Sequence, residues 1–478
     1  MSKTKELKIK GGIKLENKKL EEFEKYIKGK KVAIIGIGVS NVPLLDYLYQ
    51  LNAYVTVFDK KEMNQISQEV ILKIEKYGFK FIGGENSLDK LIGFDIIFRS
   101  PSCMPYTPQL AAEVEKGAIL TSEIEMVLKL APGKVIGVTG TEGKTTTTSL
   151  IYAIIQKSGK KCFLGGNMGK PIFTQIKDMT PEDIIVVELS SFQLTDTDVS
   201  TDISVLTNIY PDHLNVHKSY EEYREAKKNI FKFQSENGIV VLNYDNEFTK
   251  DFAKEVKGKV IFFSSHDRLE NGYIYDKTDE TIKYCEEGIR RHILKKEDIK
   301  LKGVHNYENI CAALAATSTI VDIDTQIDAI KEFYGVEHRL EFVRELNGVK
   351  WYNDSIGTSP ASTIAGLNSF DENIILLAGG SDKGLDYKEV GKAIAKKVRV
   401  LILTGPTSEK IETAVKQALK EKSIEIYYTT NMKESVNLAK EVAKDGEIVL
   451  LSPASASFDL YKNFEDRGRQ FKECVKSL

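Results

Sequence analysis

The chain has little of what would place it in a special environment. Its five cysteines, Cys103, Cys162, Cys285, Cys311 and Cys474, are odd in number, scattered through 478 residues and without CxxC spacing. That excludes a disulfide framework and argues against a cysteine-held metal, so free thiols in a reducing cytoplasm are expected. Net charge is nearly absent, because 67 Lys and Arg face 69 Asp and Glu, leaving −2. Nothing in that balance calls for nucleic acid or an anionic membrane as partner. Long hydrophobic runs are missing too. Stretches such as "IIFRSP" and "NIILLAGG" have the length of strands, short of the roughly 18 apolar residues a membrane span needs. The lysine-rich opening, "MSKTKELKIKGGIKLENKKL", has no apolar core of the kind a signal peptide carries, so none is expected.

What is present is ordinary for a globular chain: 42% hydrophobic and 28% charged residues. The length is enough for about three domains of roughly 150 residues. Strand-like and helix-like stretches alternate almost throughout, which predicts parallel sheets covered by helices. The first stretch, "KVAIIGIGVSNVPLLDYLYQLNAYVTVFD", reads as a buried strand, a Gly36-Ile37-Gly38 turn, a helix and a second strand ending at Asp59. This resembles a Rossmann first unit with an acidic residue about 20 positions after the glycines. Asn41 stands where a third glycine would be, and a tight strand-to-helix turn without ligand reads the same way. Ala131-Pro132-Gly133 reads as a linker. A second stretch follows to the helix "HNYENICAALAATSTI", with polar–apolar alternation over 272–294 that predicts an antiparallel excursion. The third runs from "GVEHRLEFVRELNGVKWYNDS" to the end.

The segment "VIGVTGTEGKTTTTSL" carries the chemistry. A strand over 134–139 delivers the chain to Gly140, Thr141, Glu142 and Gly143, and Lys144, Thr145 and Thr146 open a helix. Backbone amides of such a loop, with the helix N-terminus, point at phosphate oxygens. Lys144 reaches the outer phosphates, and the Thr145 hydroxyl suits Mg²⁺. The spacing departs from the standard phosphate loop, which would put glycine at Val138. Glu142 is out of place in a polyanion cradle unless its carboxylate turns to solvent, where screening makes it cheap. Downstream, "DIIVVE" reads as a buried strand ending in Glu188, either a polar strand end or a holder of hydrated Mg²⁺. "NIYPDHLNVH" offers Asp212, His213 and His217; by spacing alone His213 is a loop histidine, since Mg²⁺ prefers hard oxygen donors.

Together "GVTGTEGKTT", "VELSSFQL", "NIYPDHLNVH", "YREAK", "GVHNYENICAALAA", "HRLEFV", "YNDSIGTS", "LLAGGSDKG" and "LLSPASASFDLYKNFEDRG" resemble the Mur ligases, in order and over nearly the whole chain. The resemblance implies an α/β protein of three domains: a Rossmann-like UDP-substrate domain over 1–132, a central ATP-binding domain over 133–336 with a mostly parallel sheet plus a small antiparallel sheet, and a Rossmann-like amino-acid domain over 337–478. It implies a cytoplasmic, monomeric enzyme of peptidoglycan synthesis that uses ATP and two Mg²⁺ ions. In the reaction that the resemblance implies, ATP would phosphorylate the carboxylate of UDP-N-acetylmuramoyl-L-alanine, and the amine of D-glutamate would attack the acyl phosphate, giving amide, ADP and phosphate. Two anions must meet, so dense positive charge is required.

Carried onto this sequence, the family pattern gives Thr145 and Glu188 one Mg²⁺, and His213 the other with a CO₂-derived carbamate on Lys227. Read without the family, Lys227 in "YREAK" is a solvated surface lysine. Asn306 and Asn309 would lie on the adenine side, although N-capping and a polar helix face explain them equally. Arg339 and Asp354 would reach the nucleotide from the C-terminal domain. Gly38, Val39, Ser40, Asp59, Lys60 and Ser100 match the UDP side. Asn167, Ser190, Gln193 and His213 match the muramoyl-alanine. Thr358, Lys383, Ser457, Phe458 and Phe464 match the D-glutamate side, where core packing is the alternative for the phenylalanines. Two departures stand out. Glu142 replaces a common asparagine, and Ile356 replaces a common lysine whose charge Lys383 or Arg99 could supply. Competing expectations are a Mur-type or folylpolyglutamate-type ligase for another amino acid, a dehydrogenase built on Gly36-Ile37-Gly38 and Asp59, and a nucleotide-regulated binding protein.

Overall fold

The computed structural model describes residues 17–168, 171–212, 216–266, 269–301, 303–382, 384–419 and 423–478, with short backbone strands at 8–9 and 12–13. His213 and Lys383 lie outside the described residues. The chain divides into two compact units. One comprises Met1–Ile299 with Val304–Glu332, the other Lys300–Gly303 with Phe333–Leu478.

The first unit contains two sheets. A five-stranded sheet has the order Lys80–Ile82, Tyr54–Phe58, Lys31–Ile35, Ile96–Arg99, Ile119–Thr121, with every neighbouring pair parallel. Its first strand in the chain sits in the middle, so the chain leaves it in opposite directions. The crevice at such a reversal is where open α/β sheets hold ligands.

The larger sheet has nine strands. Strands Lys134–Thr139, Cys162–Gly166, Ile184–Glu188, Ile203–Leu206, Ile239–Asn243, Lys259–Ser264 and Gly272–Asp276 pair with one another in parallel. Ile184–Glu188 and Ile203–Leu206 are buried throughout. Helices cover both faces of a parallel sheet, so its strands read as unbroken apolar runs. The expected antiparallel region is present as Gly272–Asp276, Thr281–Glu286 and Ile289–Lys295. It extends the edge of the same nine-stranded sheet, since Gly272–Asp276 also pairs with Lys259–Ser264. The outermost strand exposes Ile289, Arg290, Arg291 and His292.

One apolar core joins the two sheets of this unit, with Val32, Val57 and Phe98 from the first and Ile185, Val187 and Leu206 from the second. Arg99, 1% exposed, adds a polar tie. Its Nε donates to Asp196 Oδ2 (2.8 Å), Nη2 donates to Asp196 Oδ1 and to the Phe192 carbonyl (2.9 Å), and Nη1 donates to the Cys103 carbonyl (3.2 Å).

The second unit holds a six-stranded sheet, Glu341–Leu346, Val349–Asn353, Ile448–Leu451, Ile374–Ala378, Val398–Thr404, Glu425–Thr429, antiparallel only in its first pair. Apolar layers lie on both faces, with Leu376, Ile394 and Ile411 in one and Ile375, Val449 and Phe471 in the other. The expected α/β class and mostly parallel sheets are those observed. Among the described residues no helix is long and apolar enough to cross a membrane.

Candidate active site

Strand Lys134–Thr139 lies between Ile184–Glu188 and Ile203–Leu206, so three strand ends converge where it stops. The glycine loop leaves there, and the helix Lys144–Lys157 begins as the sequence predicts. Gly143 caps that helix at φ 79°, and a Cβ there would collide with Asn309 Oδ1. A side chain is excluded twice over, by the left-handed backbone and by lack of space. Neighbouring segments hold the loop by its backbone. The Thr141 amide donates to the Asn208 carbonyl (2.9 Å), and the Glu142 amide to Asn208 Oδ1 (2.8 Å). The Glu142 carbonyl accepts from Thr207 Oγ1 (2.5 Å). The Glu142 side chain is exposed, which meets the condition under which a carboxylate is tolerable in this loop.

Lys144 Nζ donates to the Thr141 carbonyl (2.7 Å), across the mouth of the loop. Thr145 and Thr146, in the first turn, are half-buried. Thr147 Oγ1 donates to Asn309 Oδ1 (3.2 Å), and Asn309 Nδ2 to Asn306 Oδ1 (3.3 Å), which brings both asparagines of the helix Val304–Thr317 to the start of Lys144–Lys157.

Lys227 departs from the surface reading. It lies on the helix Tyr220–Lys232 and is 1% exposed. Its Nζ donates to the Gly140 carbonyl (2.8 Å) and lies 4.7 Å from the centre of the Tyr223 ring. Burial, then the charge of Lys144, hold this amine well below the usual lysine value, against the opposing pull of Asp212 and Glu188. The surface reading fails because the helix buries Tyr223, Ala226, Lys227, Ile230 and Phe231, a stripe at i, i+3, i+4, i+7 and i+8 on which Lys227 sits.

Glu188 ends its strand 2% exposed. Asn167 Nδ2 donates to its Oε1 (2.7 Å), while Oε2 is buried without a hydrogen-bond partner among the described residues. Such an orphaned carboxylate oxygen suits a cation. Glu188 Oε2 is thus a hard oxygen donor of the kind Mg²⁺ prefers. His217, the other histidine of that loop, is buried, with Nε2 2.9 Å from Ser191 Oγ and its ring stacked on Phe192. Ser190 and Gln193 bond each other in a capping box at the start of Ser191–Leu194. Tyr223, Thr207 and Asn208 were not among the expected residues. Tyr223 Oη lies 2.9 Å from Thr141 Oγ1, on the same buried stripe as Lys227, and that stripe is the signal that points to both.

At the reversal point of the first sheet, Asp59 accepts the Ile37 amide on Oδ2 (2.8 Å) and the Lys61 amide on Oδ1 (2.9 Å). Its carboxylate shapes the turn, which weakens the dehydrogenase reading that needs it for a ribose. Ser100 reaches the same place, since a Cβ on Gly36 would meet its Oγ. Gly38, Val39 and Lys60 are exposed around this point, and Ser40 is half-buried.

In the second unit Asp354 follows the strand Val349–Asn353. Its Oδ2 accepts from Ser452 Oγ (2.7 Å) and its Oδ1 from the Leu340 amide (3.2 Å), and burial pushes its carboxyl up to about 6. Arg339 is exposed between His338 and Leu340, both left-handed at φ 66° and 44°. Thr358 is half-buried, Ser457 is buried, Phe458 is exposed, and Phe464 packs edge-on to His338. Arg99, one of two cations that could stand in for a lysine at Ile356, is consumed by Asp196 and two carbonyls.

A strand–loop–helix of the kind that cradles phosphates, at the carboxyl edge of a parallel sheet, places the chain among the nucleotide-binding α/β proteins. Within that class it belongs to the Mur ligase family. The Mur ligase middle domain matches residues 138–317, and the Mur ligase, glutamate ligase domain matches 338–455. The chain is 46% identical over 466 residues to UDP-N-acetylmuramoylalanine--D-glutamate ligase of Acetivibrio thermocellus, covering 97% of this chain and 99% of that one. It is 45% identical over 459 residues to the protein of the same name in Clostridium acetobutylicum, covering 96% and 98%. Among solved structures, a UDP-N-acetylmuramate-alanine ligase of Thermotoga maritima shares the fold at TM-score 0.56 and 19% identity, over 94% of this chain and 99% of that one. A MurF ligase of the same organism, in complex with ADP, does so at TM-score 0.51 and 20% identity, over 95% and 96%.

Proposed function

We propose that the protein is an ATP-dependent acid–amino-acid ligase, adding D-glutamate to UDP-N-acetylmuramoyl-L-alanine through an acyl phosphate in peptidoglycan precursor synthesis. It works in the cytoplasm as a monomer. The observation that carries the reading is the pair of lysines on one glycine loop: Lys144 across its mouth, and the Lys227 amine buried beneath it against Gly140. A phosphate site alone needs the first. The second suits a lysine that must meet CO₂ unprotonated and become an oxygen donor.

Residues 1–132 hold the UDP end of the substrate, with Gly38, Val39, Ser40, Asp59, Lys60 and Ser100 about the reversal point. Residues 133–336 hold ATP on Gly140 to Thr146, with Asn306 and Asn309 toward the base. Residues 337–478 supply Arg339 and Asp354 to the nucleotide and Thr358, Lys383, Ser457, Phe458 and Phe464 to D-glutamate. Asn167, Ser190, Gln193 and His213 line the muramoyl-alanine. Thr145 and Glu188 would hold one Mg²⁺, and His213 with the Lys227 carbamate the other. When bound, the ions neutralise charge on the transferred phosphoryl group. Loop amides and Lys144 orient the γ-phosphate toward the alanyl carboxylate, whose oxygen attacks phosphorus as ADP leaves. The D-glutamate nitrogen then attacks the acyl carbon, loses a proton and expels phosphate. The decisive assay is ADP release from ATP and UDP-N-acetylmuramoyl-L-alanine with D-glutamate, L-glutamate and a diamino acid offered in turn. Release that ignores D-glutamate but follows another amino acid would transfer the protein to a different ligase of the family.

A further inference from the structure

Asn167 makes two contacts to Glu188 that substrate binding does not require. Its backbone amide donates to the Glu188 carbonyl (2.8 Å), and its side-chain Nδ2 to Glu188 Oε1 (2.7 Å). The preceding Gly166, at φ 90°, permits this approach, because a Cβ there would collide with the Glu188 carbonyl. The two residues end adjacent parallel strands, Cys162–Gly166 and Ile184–Glu188, in register at Gly166 and Glu188. Glu188 is 2% exposed, and its other oxygen, Oε2, is buried without a hydrogen-bond partner among the described residues.

A buried carboxylate with one oxygen bonded and one bare is asymmetric. Left alone, its plane could rotate and offer either oxygen, or both, to a cation. An amide donor on Oε1 removes that freedom, fixing the plane and leaving Oε2 as the single available ligand. Mg²⁺ demands near-ideal octahedral geometry, which a carboxylate donating through one oxygen satisfies and a bidentate one strains. Hydrogen-bond partners that orient a metal's ligands typically change its affinity 10–100-fold.

We infer that Asn167 is a positioning residue that orients the Glu188 carboxylate so that Oε2 alone faces the divalent cation. The inference rests on the assignment of Glu188 to Mg²⁺ made above. Asn167 is itself exposed, so its side chain can be removed without opening the core.

The test is Mn²⁺ binding at fixed ADP, without UDP substrate or amino acid, followed by the paramagnetic signal of the free ion. Wild type, Asn167→Ala and Glu188→Gln are compared. Asn167→Ala is expected to weaken Mn²⁺ binding about 10–100-fold, with an unchanged melting temperature. A residue that only touched the sugar–peptide substrate would leave this readout unmoved. If Asn167→Ala binds Mn²⁺ like wild type while Glu188→Gln loses it, the positioning role is wrong and the metal assignment stands. If Glu188→Gln also binds normally, the assignment of Glu188 to the cation is wrong and the inference goes with it.

Discussion

A lysine amine withdrawn from water must lose its proton or find an anion. Lys227 has no ion pair among the described residues; its partners are the Gly140 carbonyl, the Thr139 hydroxyl and the face of Tyr223. A carbamate there would turn a poorly solvated base into a ligand. Lys227→Ala is therefore expected to lose turnover by orders of magnitude, with part of it restored by added formate or acetate; steady-state ADP release with and without the small acid decides this. Retained activity in the unsupplemented variant would rule out the role. Lys144→Ala tests the other lysine. Its Nζ donates to a carbonyl of the glycine loop itself, and its loss is expected to abolish turnover while circular dichroism and melting temperature stay near wild type. Near-normal turnover would refute the phosphate role.

The elements that carry these residues were legible in different degrees. Strand Lys134–Thr139 and the helix from Lys144 could be read from the apolar run and the glycine–lysine–threonine junction, because local chemistry alone fixes them. The end of Ile184–Glu188 was equally plain. Thr207 and Asn208 were not, since they clamp the loop through backbone groups some 65 residues away in sequence, which no local pattern encodes. The continuation of the antiparallel strands from the nine-stranded sheet was hidden for the same reason: which edge a hairpin joins is a tertiary matter. Glu123 shows another such link. It lies in the first turn of the helix Glu123–Leu130, is 5% exposed, and accepts the amides of Ile172 (3.1 Å) and Phe173 (2.9 Å) on one oxygen. Burial pushes its carboxyl up to about 7 despite those two donors. An acid raised by folding favours the native state fully below its unfolded value, near 4.5, and that contribution fades as pH rises through 7. Glu123→Gln keeps an acceptor for both amides and removes the charge. It should melt above wild type beyond pH 7, by the equivalent of up to about 3 kcal/mol, and the gap should close below roughly pH 4.5. Melting curves across that range check it; a constant gap would mean that Glu123 stays ionised in the fold.

At the scale of the whole molecule, the Arg99–Asp196 pair and the shared core make the first sheet and the central sheet one body. Asp196→Ala would strand a buried guanidinium and is expected to lower stability by about 3–5 kcal/mol. The single tryptophan, Trp351, lies buried in the second unit and reports on that unit alone. The loss should thus shift the circular-dichroism transition more than the tryptophan-fluorescence transition; equal shifts would mean that the two units unfold as one.

The outermost strand, Ile289–Lys295, presents Arg290, Arg291 and His292 to solvent along the open border of nine strands. An open border of this kind invites a second copy to add a strand, and charged side chains along it oppose that pairing. Here Arg290 lies 3.8 Å from Asp276 and Arg291 3.5 Å from Glu286, so the edge carries both signs of charge. Charge on an exposed edge strand is one of the ways a sheet border is blunted against pairing. Exchanging Arg290, Arg291 and His292 for valines is expected to turn that border into a strand-pairing edge, raising self-association as read by light scattering; unchanged scattering would show that the charges do not guard it.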